Sequence, residues 1–258
     1  MSKIINILRC VVMLALSSIT LADTIIIAAD LWCPYNCEPN SSEPGFVVEV
    51  AKNVFEKHGH QIIYQKMPWS RAIQDAKDGK INGIIGANKQ EAPNFIFPSN
   101  EQGISDLLFY VKAGSSWKYN DEQSLKEVKL GLIQDYGYGE LIDRYVKTQT
   151  GTPWVQTISG NDTLERNIQR LLLGRIEVTI ENNAVMEYHL KKTRRSHFLS
   201  VAGKARSETG NIYIAFSPNL NVSTTYAKIL SDGMNEISQS DRLDSIMNRY
   251  GLTNWSKD

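Results

Sequence analysis

Hydrophobic positions along the chain follow two spacings, short continuous runs and a helical repeat, and the two alternate. Thr24–Ala29 is a continuous apolar run rich in β-branched residues, which is typical of a strand buried on both faces. Val47, Val50 and Val54 then recur at helical spacing until His58-Gly59 interrupts the pattern. Strands that alternate with helices predict βαβ units and a parallel sheet.

The same alternation occurs in two series along the chain. In the first series we predict strands at 61–65 and 81–86, with a helix at 68–78 between them. An extended apolar stretch at 105–112 and a polar loop at 114–121 separate the two series. The second series contains strands at 128–133, 177–180 and 211–216, and helices at 139–146, 163–173, 184–190, 222–238 and 241–250. Two series in succession favour an α/β protein with two lobes.

The N-terminal residues have the pattern of an export signal. Lys3 and Arg9 precede an apolar run at 10–21, and small residues around Ala22 suit cleavage after that position. We predict a signal peptide at residues 1–22, with a retained membrane anchor as the alternative. No later apolar run approaches the roughly 18 residues that a membrane span needs.

Charge and composition give no indication of a nucleic-acid partner. The whole chain has 28 basic and 28 acidic residues, and loss of Lys3 and Arg9 with the signal peptide leaves a formal charge of −2. The basic run at 191–195 is typical of a solvated helix end. We therefore expect a small-molecule ligand and no cofactor, and we expect a monomer.

Two cysteines, Cys33 and Cys37, remain after the predicted cleavage. A C-x₃-C pair in an exported protein indicates a local disulfide, which would fix the shape of its own loop. A redox pair and a zinc site are the alternatives. Redox motifs use C-x-x-C, however, and the four histidines show no ligand spacing, so we predict no metal.

Candidate binding residues follow the carboxyl ends of predicted strands, where open α/β sheets bind ligands. Aromatic side chains there suit an apolar, cationic or sugar ligand, and Arg71 offers donors to a carboxylate or phosphate. The candidates in chain order are Trp32, Tyr35, Trp69, Arg71, Asn88, Tyr136, Tyr138, Glu181 and Asn182.

Each candidate also has a purely structural interpretation, and the sequence leaves these open. Trp32 and Tyr35 suit the surface around the disulfide equally well, and Arg71 could pair with Asp75 one helical turn away. Asn88 and Glu181 could be ordinary loop residues. Tyr136 and Tyr138 flank a glycine in a stretch that also reads as a tight turn.

Several segments resemble the periplasmic solute-binding proteins of the amino-acid-binding type, bacterial extracellular family 3. The resemblance rests on the order and spacing of 45–50, 78–86, 213–218 and 246–251, and it extends over 23–252. It implies a divergent member with a two-lobed periplasmic-binding-protein fold (type II), with mostly parallel sheets and two hinge strands. The implied division is 23–111 plus 212–258 for the first lobe and 112–211 for the second.

The chain departs from this family at the residues that hold an amino acid. In family members an Arg just before an aromatic-Ser segment clamps the substrate carboxylate, but the corresponding stretch 88–98 contains no Arg. Glu181 matches the acidic residue that takes the amino group, and Arg71 is a candidate replacement for the missing clamp. The strand-end residues predict a small polar or zwitterionic ligand, and the missing Arg leaves its chemical class open.

The resemblance also implies what the protein does. We expect a periplasmic solute-binding protein that serves an ABC-type transporter permease. The alternatives are a ligand-sensing input to a membrane receptor and a periplasmic enzyme of the cyclic-acid dehydratase type. The sequence contains no G-x-S-x-G or H-E-x-x-H motif and no P-loop, so we predict no catalytic residues.

Overall fold

A computed structural model describes residues 22–205 and 210–257 of the chain. The predicted signal peptide, residues 1–22, lies outside the described residues except for Ala22. None of the helices within these two ranges combines the length and the apolar character that a membrane span requires.

The first sheet contains five strands. They are β1 Thr24–Ala29, β2 Gln61–Lys66, β3 Gly83–Ala87, β4 Gly103–Ser105 and β10 Gly210–Phe216. Their order across the sheet is β2-β1-β3-β10-β4. β1 lies parallel to β2 and β3, whereas β10 is antiparallel to β3 and β4. Because β1 lies inside this sheet and Ile25, Ile27 and Ala28 are fully buried, its sequence shows no polar alternation.

The second sheet repeats this arrangement. Its strands are β5 Leu107–Lys112, β6 Leu130–Ile133, β7 Val155–Ile158, β8 Val178–Asn182 and β9 Leu199–Lys204, in the order β7-β6-β8-β5-β9. β6 is parallel to β7 and β8, whereas β5 is antiparallel to β8 and β9. Each sheet is therefore mixed: one antiparallel strand, β10 or β5, separates three parallel strands from an edge strand that runs in their direction. The prediction of mostly parallel sheets holds for those three strands.

Helices cover both sheets. They are α1 Phe46–Glu56, α2 Trp69–Lys77, α3 Glu140–Thr148, α4 Thr163–Leu172, α5 Asn183–Lys192, α6 Ser223–Ser238 and α7 Asp241–Arg249. Val47, Val50 and Val54 on α1 are buried, as the helical repeat predicts. A Cβ atom added at Gly233 of α6 would overlap the Val54 side chain, so the closing helix lies directly against α1.

The chain passes between the two sheets twice. β4 ends at Ser105 and β5 begins at Leu107, so Asp106 alone forms the first crossing. The Asp106 carbonyl accepts a hydrogen bond from Asn183 N at 2.9 Å, and its carboxylate lies 3.2 Å from Lys204 Nζ. The second crossing lies between β9 and β10.

Strand β5 pairs with β8 and β9, although the sequence-based division placed 107–111 in the first lobe. Asp106 interrupts the apolar pattern of the stretch 105–112, but one charged residue does not reveal that the chain changes sheets there. We therefore propose lobe boundaries at the two crossings. The first lobe then contains 23–105 and 210–257, and the second lobe contains 107–204.

Candidate functional site

The carboxyl ends of the parallel strands in the two lobes face one another across a small cavity. Asp30 and Trp32 follow β1, and Tyr136 follows β6 after a short turn. Side chains from both lobes surround this cavity. The lining residues are Asp30, Trp32, Trp69, Ile85, Gly86, Asn88, Glu91, Ser105, Leu107, Tyr136, Gly137, Tyr138, Glu181 and Ile212.

A compact loop after β1 positions Trp32. Trp32 and Asn36 form an isolated antiparallel bridge, with Trp32 N donating to Asn36 O at 2.9 Å. A disulfide joins Cys33 and Cys37 across this bridge, with the two Cα atoms 4.8 Å apart. Asn36 Nδ2 donates to the Asp30 carbonyl at 2.6 Å, and this hydrogen bond holds the loop against the end of β1.

Trp32 connects the first lobe to Glu181 of the second. Its indole Nε1 donates to Glu181 Oε1 at 2.9 Å, and the same oxygen accepts a hydrogen bond from Asn182 N at 2.8 Å. Glu181 is only 3% exposed although it is an acidic residue at a strand end. The solvated-loop interpretation of Glu181 is therefore wrong in this structure.

Asp30 and Trp69 make two further contacts between the lobes. Tyr136 donates its hydroxyl to Asp30 Oδ2 at 2.8 Å, and Trp69 Nε1 donates to the Asp135 carbonyl at 2.9 Å. The rings of Trp69 and Tyr136 meet edge to face with centroids 6.1 Å apart. These contacts bring two aromatic rings and one carboxylate together at the cavity.

Glu91 brings a third carboxylate to the cavity from the turn after β3. Asn88 Oδ1 accepts hydrogen bonds from Gln90 N and Glu91 N, both at 2.9 Å, and this forms the turn. Glu91 in turn accepts from Asn88 N and, across the cavity, from Gly137 N of the second lobe. The Asn88 side chain therefore shapes the turn, and Glu91 carries the charge.

Burial determines the charge state of the two most enclosed carboxylates. Removal from water raises the pKa of Asp30 from 3.8 to about 7, against the lowering effect of the hydrogen bond from Tyr136. Burial likewise raises the pKa of Glu181 from 4.5 to about 7, although the Trp32 indole opposes it. No ion pair among the described residues joins a basic side chain to either carboxylate.

The cavity itself is small. Its volume is about 40 Å³. Since one water molecule needs roughly 10–15 Å³ of such space, only a few waters fit. A ligand of amino-acid size therefore requires that the lobes separate or that Tyr136 and its neighbours move aside.

Tyr138 lines the cavity with its ring, and local hydrogen bonds hold it there. Its hydroxyl accepts from Ile133 N at 2.8 Å, and its backbone N donates to Asp143 Oδ1 at 2.9 Å. Tyr138 is 3% exposed. The tight turn that the sequence left open as an alternative lies at residues 134–135, and Tyr138 follows it as an aromatic wall of the cavity.

Tyr35 and Asn182 lie behind the cavity, beside the first crossing. The Tyr35 ring stacks on Trp32 with centroids 4.3 Å apart, and Asn182 Nδ2 donates to Tyr35 Oη at 3.2 Å and to Ser105 Oγ at 3.0 Å. Asn182 also caps α5 by accepting from Val185 N. Both residues are buried between the lobes, where they support Trp32 without lining the cavity.

Arg71 does not reach the cavity, which contradicts its predicted place there. Its side chain is 71% exposed and forms an ion pair with Asp75 at 3.3 Å, the structural alternative that the sequence left open. Trp69 begins α2 with its ring turned inward. Two residues along a helix correspond to a rotation of roughly 200°, so Arg71 points to the opposite side.

Sequence reasoning did not select Asp30 or Glu91 as binding residues. Asp30 is the first residue after β1, and its position at a carboxyl strand end was the available signal. Glu91 lies in the stretch 88–98, where the family resemblance implies an arginine, so the resemblance gives no reason to expect a binding carboxylate there. Within the described ranges, no group of three or more His, Cys, Asp or Glu side chains could hold a metal ion.

Solved structures with the same fold include several binding proteins. ArtJ of Geobacillus stearothermophilus, described as an arginine-, lysine-, histidine-binding protein, has a TM-score of 0.73 at 16% identity, over 91% of this chain and 100% of that chain. The ArgBP of T. maritima has a TM-score of 0.72 at 17% identity, over 88% of this chain and 95% of that chain.

A sensor protein shares the fold as well. A histidine kinase sensor domain with similarity to periplasmic binding proteins has a TM-score of 0.73 at 15% identity, over 88% of this chain and 95% of that chain. At these identities the similarity shows the fold alone. The predicted two-lobed α/β fold is confirmed by these structures.

Sequence comparison identifies the family directly. No curated protein sequence matches the chain. The model of the bacterial extracellular solute-binding proteins, family 3, matches residues 25–253, which is nearly the whole chain. The protein therefore belongs to the bacterial extracellular solute-binding proteins of family 3.

Proposed function

We propose that the protein is exported and captures a small polar metabolite between its two lobes for delivery to an ABC-type transporter. The observation that carries this proposal is the cavity at the strand ends, to which both lobes contribute. Ligands of open α/β sheets bind at this edge. The neighbouring fold of ArtJ, an arginine-, lysine-, histidine-binding protein, supports a nitrogen-containing ligand.

Binding in this proposal is coupled to lobe closure. The two crossings at Asp106 and between β9 and β10 form a double hinge, a common arrangement for domain closure around a ligand. A ligand that contacts Asp30 and Trp69 in one lobe and Tyr136 and Glu181 in the other binds the closed form better than the open form. It therefore shifts the population toward closure, which a transporter can read.

The binding residues of this proposal are those that line the cavity. Trp32, Trp69 and Tyr138 form walls, Asp30 and Glu181 supply carboxyl groups, and Asn88 shapes the turn that carries Glu91. Tyr35 and Asn182 hold Trp32 and the start of α5 in place. Arg71 has no part in ligand binding.

A thermal-shift screen on the exported mature protein tests the proposal. The panel contains amino acids, peptides, polyamines, sugars and organic acids. A compound present at about 100 times its dissociation constant stabilises the fold by about 2.7 kcal/mol. We expect one class of compound to raise the melting temperature and Trp69→Ala to weaken its binding. Arg71→Ala serves as the matched control on the same helix, with no expected change.

A sensory role is the second candidate, because a histidine kinase sensor domain has the same fold. The two roles make the same binding prediction and differ in the partner. Crosslinking of the ligand-loaded protein in membranes that contain the permease separates them. A crosslink to a receptor kinase instead of a permease would favour the sensor.

An enzyme remains the third reading of the same site. Incubation of each bound compound with the protein, followed by mass spectrometry, tests it. Recovery of the unchanged compound supports binding, whereas a product that accumulates in proportion to protein would favour catalysis.

A further inference from the structure

We infer that a groove beside the cavity, between the disulfide loop (31–43) of the first lobe and the start of α4 in the second, binds an oxyanion: a carboxylate or phosphate group. Its donors are the first backbone N–H groups of α4, the hydroxyl of Thr163 and the ammonium group of Lys192. This site goes beyond the proposed function, which concerns the cavity at the strand ends.

The groove is a second space between the two lobes. Its volume is about 420 Å³, whereas that of the cavity is about 40 Å³. The first lobe contributes the disulfide loop, and the second contributes the start of α4 and the last turns of α5. Asp30 belongs to the lining of both spaces, so the groove begins directly beside the cavity.

The start of α4 leaves backbone donors without acceptors. The first N–H groups of a helix have no partner within it, and no described residue accepts a hydrogen bond from the backbone N of Thr163, Leu164 or Glu165. Asp162 precedes the helix in a left-handed conformation, with a φ of 54° and a ψ of 37°, and its side chain makes no capping hydrogen bond. Free N–H groups at a helix start attract anions.

The side chain of Thr163 is an independent indication of a ligand. Thr163 is only 5% exposed and lines the groove. Its hydroxyl has no hydrogen-bond partner in the part of the chain that the structure describes. Since a buried hydroxyl without a partner is costly, a polar ligand atom in the groove would satisfy it. The hydroxyl and the N–H groups of the same helix turn can donate to one oxyanion.

The second-lobe side of the groove also offers a positive charge. Lys192 has no acidic partner in the described ranges, and its Nζ lies 5.7 Å from the centroid of the Tyr188 ring. The charge of Glu165, in the first turn of α4, is already compensated. Arg195 donates to both of its carboxylate oxygens, and His189 Nε2 lies 2.7 Å from Oε2. Lys192 is therefore available to an anion at the start of the helix.

The carboxylates that line the groove do not make it a cation site. Glu38 pairs with Lys66 at 2.7 Å, and the side chains of Glu43 and Asp162 are exposed, so water and salt screen their charges. Backbone N–H groups can only donate hydrogen bonds. A cation in the groove would leave those of α4 unsatisfied, whereas an oxyanion accepts from them.

NMR titration of the isotope-labelled mature protein tests the site, with inorganic phosphate and acetate as probes at constant ionic strength and neutral pH. We expect saturable shifts of the amide resonances at 163–165. The start of α7 is the internal control, because the Ser240 side chain caps it by accepting from Arg242 N. No saturable shift at 163–165, or an equal shift at the start of α7, overturns the inference.

Substitution of the donors tests their roles. Thr163→Val removes the hydroxyl and keeps the branched shape, and we expect it to weaken phosphate binding at least fivefold, with Thr163→Ser restoring it. We expect Lys192→Gln to weaken binding at least threefold. Lys191→Gln is the matched control, because Lys191 is 75% exposed and its side chain pairs with Glu187. Wild-type affinity in both Thr163→Val and Lys192→Gln overturns the site.

Asp162 allows a test in the opposite direction. Its carboxylate lies next to the free N–H groups and repels an anion there, so we expect Asp162→Asn to tighten phosphate binding. Asparagine tolerates the left-handed conformation, and the melting temperature without anion checks that each variant folds. Weaker phosphate binding by a folded Asp162→Asn would contradict an oxyanion at this helix start.

Two sources can supply the oxyanion, namely a free anion and the far end of a ligand that also occupies the cavity. The same titration of protein saturated with a compound from the thermal-shift screen distinguishes them. Phosphate that still shifts the amides at 163–165 identifies a free anion. A compound that prevents this shift, and whose own binding is weakened in Thr163→Val, identifies an anionic end of the ligand. Phosphate binding without any compound from the screen would support this site and count against the proposed function.

Discussion

Asp30 and Glu181 lie where the folded protein favours their neutral forms. Burial raises both pKa values to about 7, from 3.8 for Asp30 and 4.5 for Glu181. The tyrosines around them do not titrate near neutral pH, because burial raises their pKa values further above 10. They are Tyr35, Tyr64, Tyr110, Tyr136 and Tyr138. Asp30 and Glu181 therefore contribute a pH response near neutrality that these tyrosines do not.

The direction of that response follows from proton binding. Between about pH 4 and 7 the folded state binds more protons than the unfolded state, so the free energy of unfolding falls as the pH rises through 7. We expect the wild type to lose at least about 1.4 kcal/mol more than Asp30→Asn between pH 5 and 8, since one pKa unit corresponds to that amount. Urea denaturation at both pH values measures the difference. Equal losses in the two proteins would contradict the raised pKa of Asp30.

Trp32 allows a test of one contact between the lobes. Trp32→Phe removes the indole N–H that donates to Glu181 and keeps an aromatic ring. Above pH 7 Glu181 is mostly ionised, and a hydrogen bond to a charged group contributes about 1.5–3 kcal/mol, so we expect ligand affinity at pH 8 to fall at least tenfold. Trp117→Phe is the matched control, because Trp117 Nε1 donates to the Ser124 carbonyl at 3.1 Å within the second lobe. Equal effects of the two substitutions on affinity would count against the contact.

Sequence patterns located part of this site and missed part of it. Trp32, Trp69, Asn88, Tyr136, Tyr138 and Glu181 were selected because they follow strand ends, and the structure places all of them around the cavity. Arg71 was selected by the same rule, but helix rotation turns it away. Strand-end position is a property of the backbone, whereas the direction of a side chain depends on the register of the helix that carries it.

The loop that follows β1 is the element on which the site most depends. Its disulfide closes a small ring, so it reduces the conformational entropy of the unfolded chain only slightly. We expect Cys33→Ser/Cys37→Ser to lower global stability only slightly and to increase amide exchange at Trp32 and Asn36. Hydrogen-exchange mass spectrometry at peptide resolution measures both effects. The native exported protein should also resist thiol labelling until it is reduced. A loss of global stability without faster local exchange would contradict this role.

The start of α1 depends on Gly45, which the sequence places at the beginning of the helix without showing that a glycine is required there. Gly45 has a φ of 107°, and an added Cβ would overlap the Tyr35 carbonyl and Asn36 backbone. We expect Gly45→Ala to destabilise the protein well beyond about 1 kcal/mol, because backbone strain and overlap act together. Gly59→Ala is the control, since Gly59 has a φ of 80° with nothing within 4 Å of the added atom. Equal losses in urea denaturation would exclude the overlap.

Elements with strong periodicity were predicted well, and short edge elements were not. β1 and α1 carry continuous or helical apolar patterns, and the structure has both. β7 and β9 lie at the two edges of the second sheet. Few of their residues are buried and their apolar and polar residues alternate only weakly, so no sequence pattern predicts these strands. These strands form because they pair with β6 and β5. Those partners are distant in sequence, so local patterns do not predict the pairing.

At the scale of the whole molecule, two similar sheets face one another through the carboxyl ends of their parallel strands. The chain crosses between them at Asp106 and again before β10, and the cavity lies between the lobes that these crossings join. The order of elements and the family resemblance were enough to predict this architecture. The position of the first crossing is not predictable from the sequence, because only Asp106 separates β4 from β5 and a single charged residue does not indicate a change of sheet.

One measurement tests the central claim most directly, that a ligand binds in the cavity through both lobes. Isothermal titration of the tightest compound from the screen compares the wild type with Asp30→Asn in the first lobe, Glu181→Gln in the second and Arg71→Ala at the surface. We expect both cavity substitutions to weaken binding at least tenfold and Arg71→Ala to change it less than twofold. Weaker binding by Arg71→Ala, with wild-type affinity in the two cavity variants, would contradict the account.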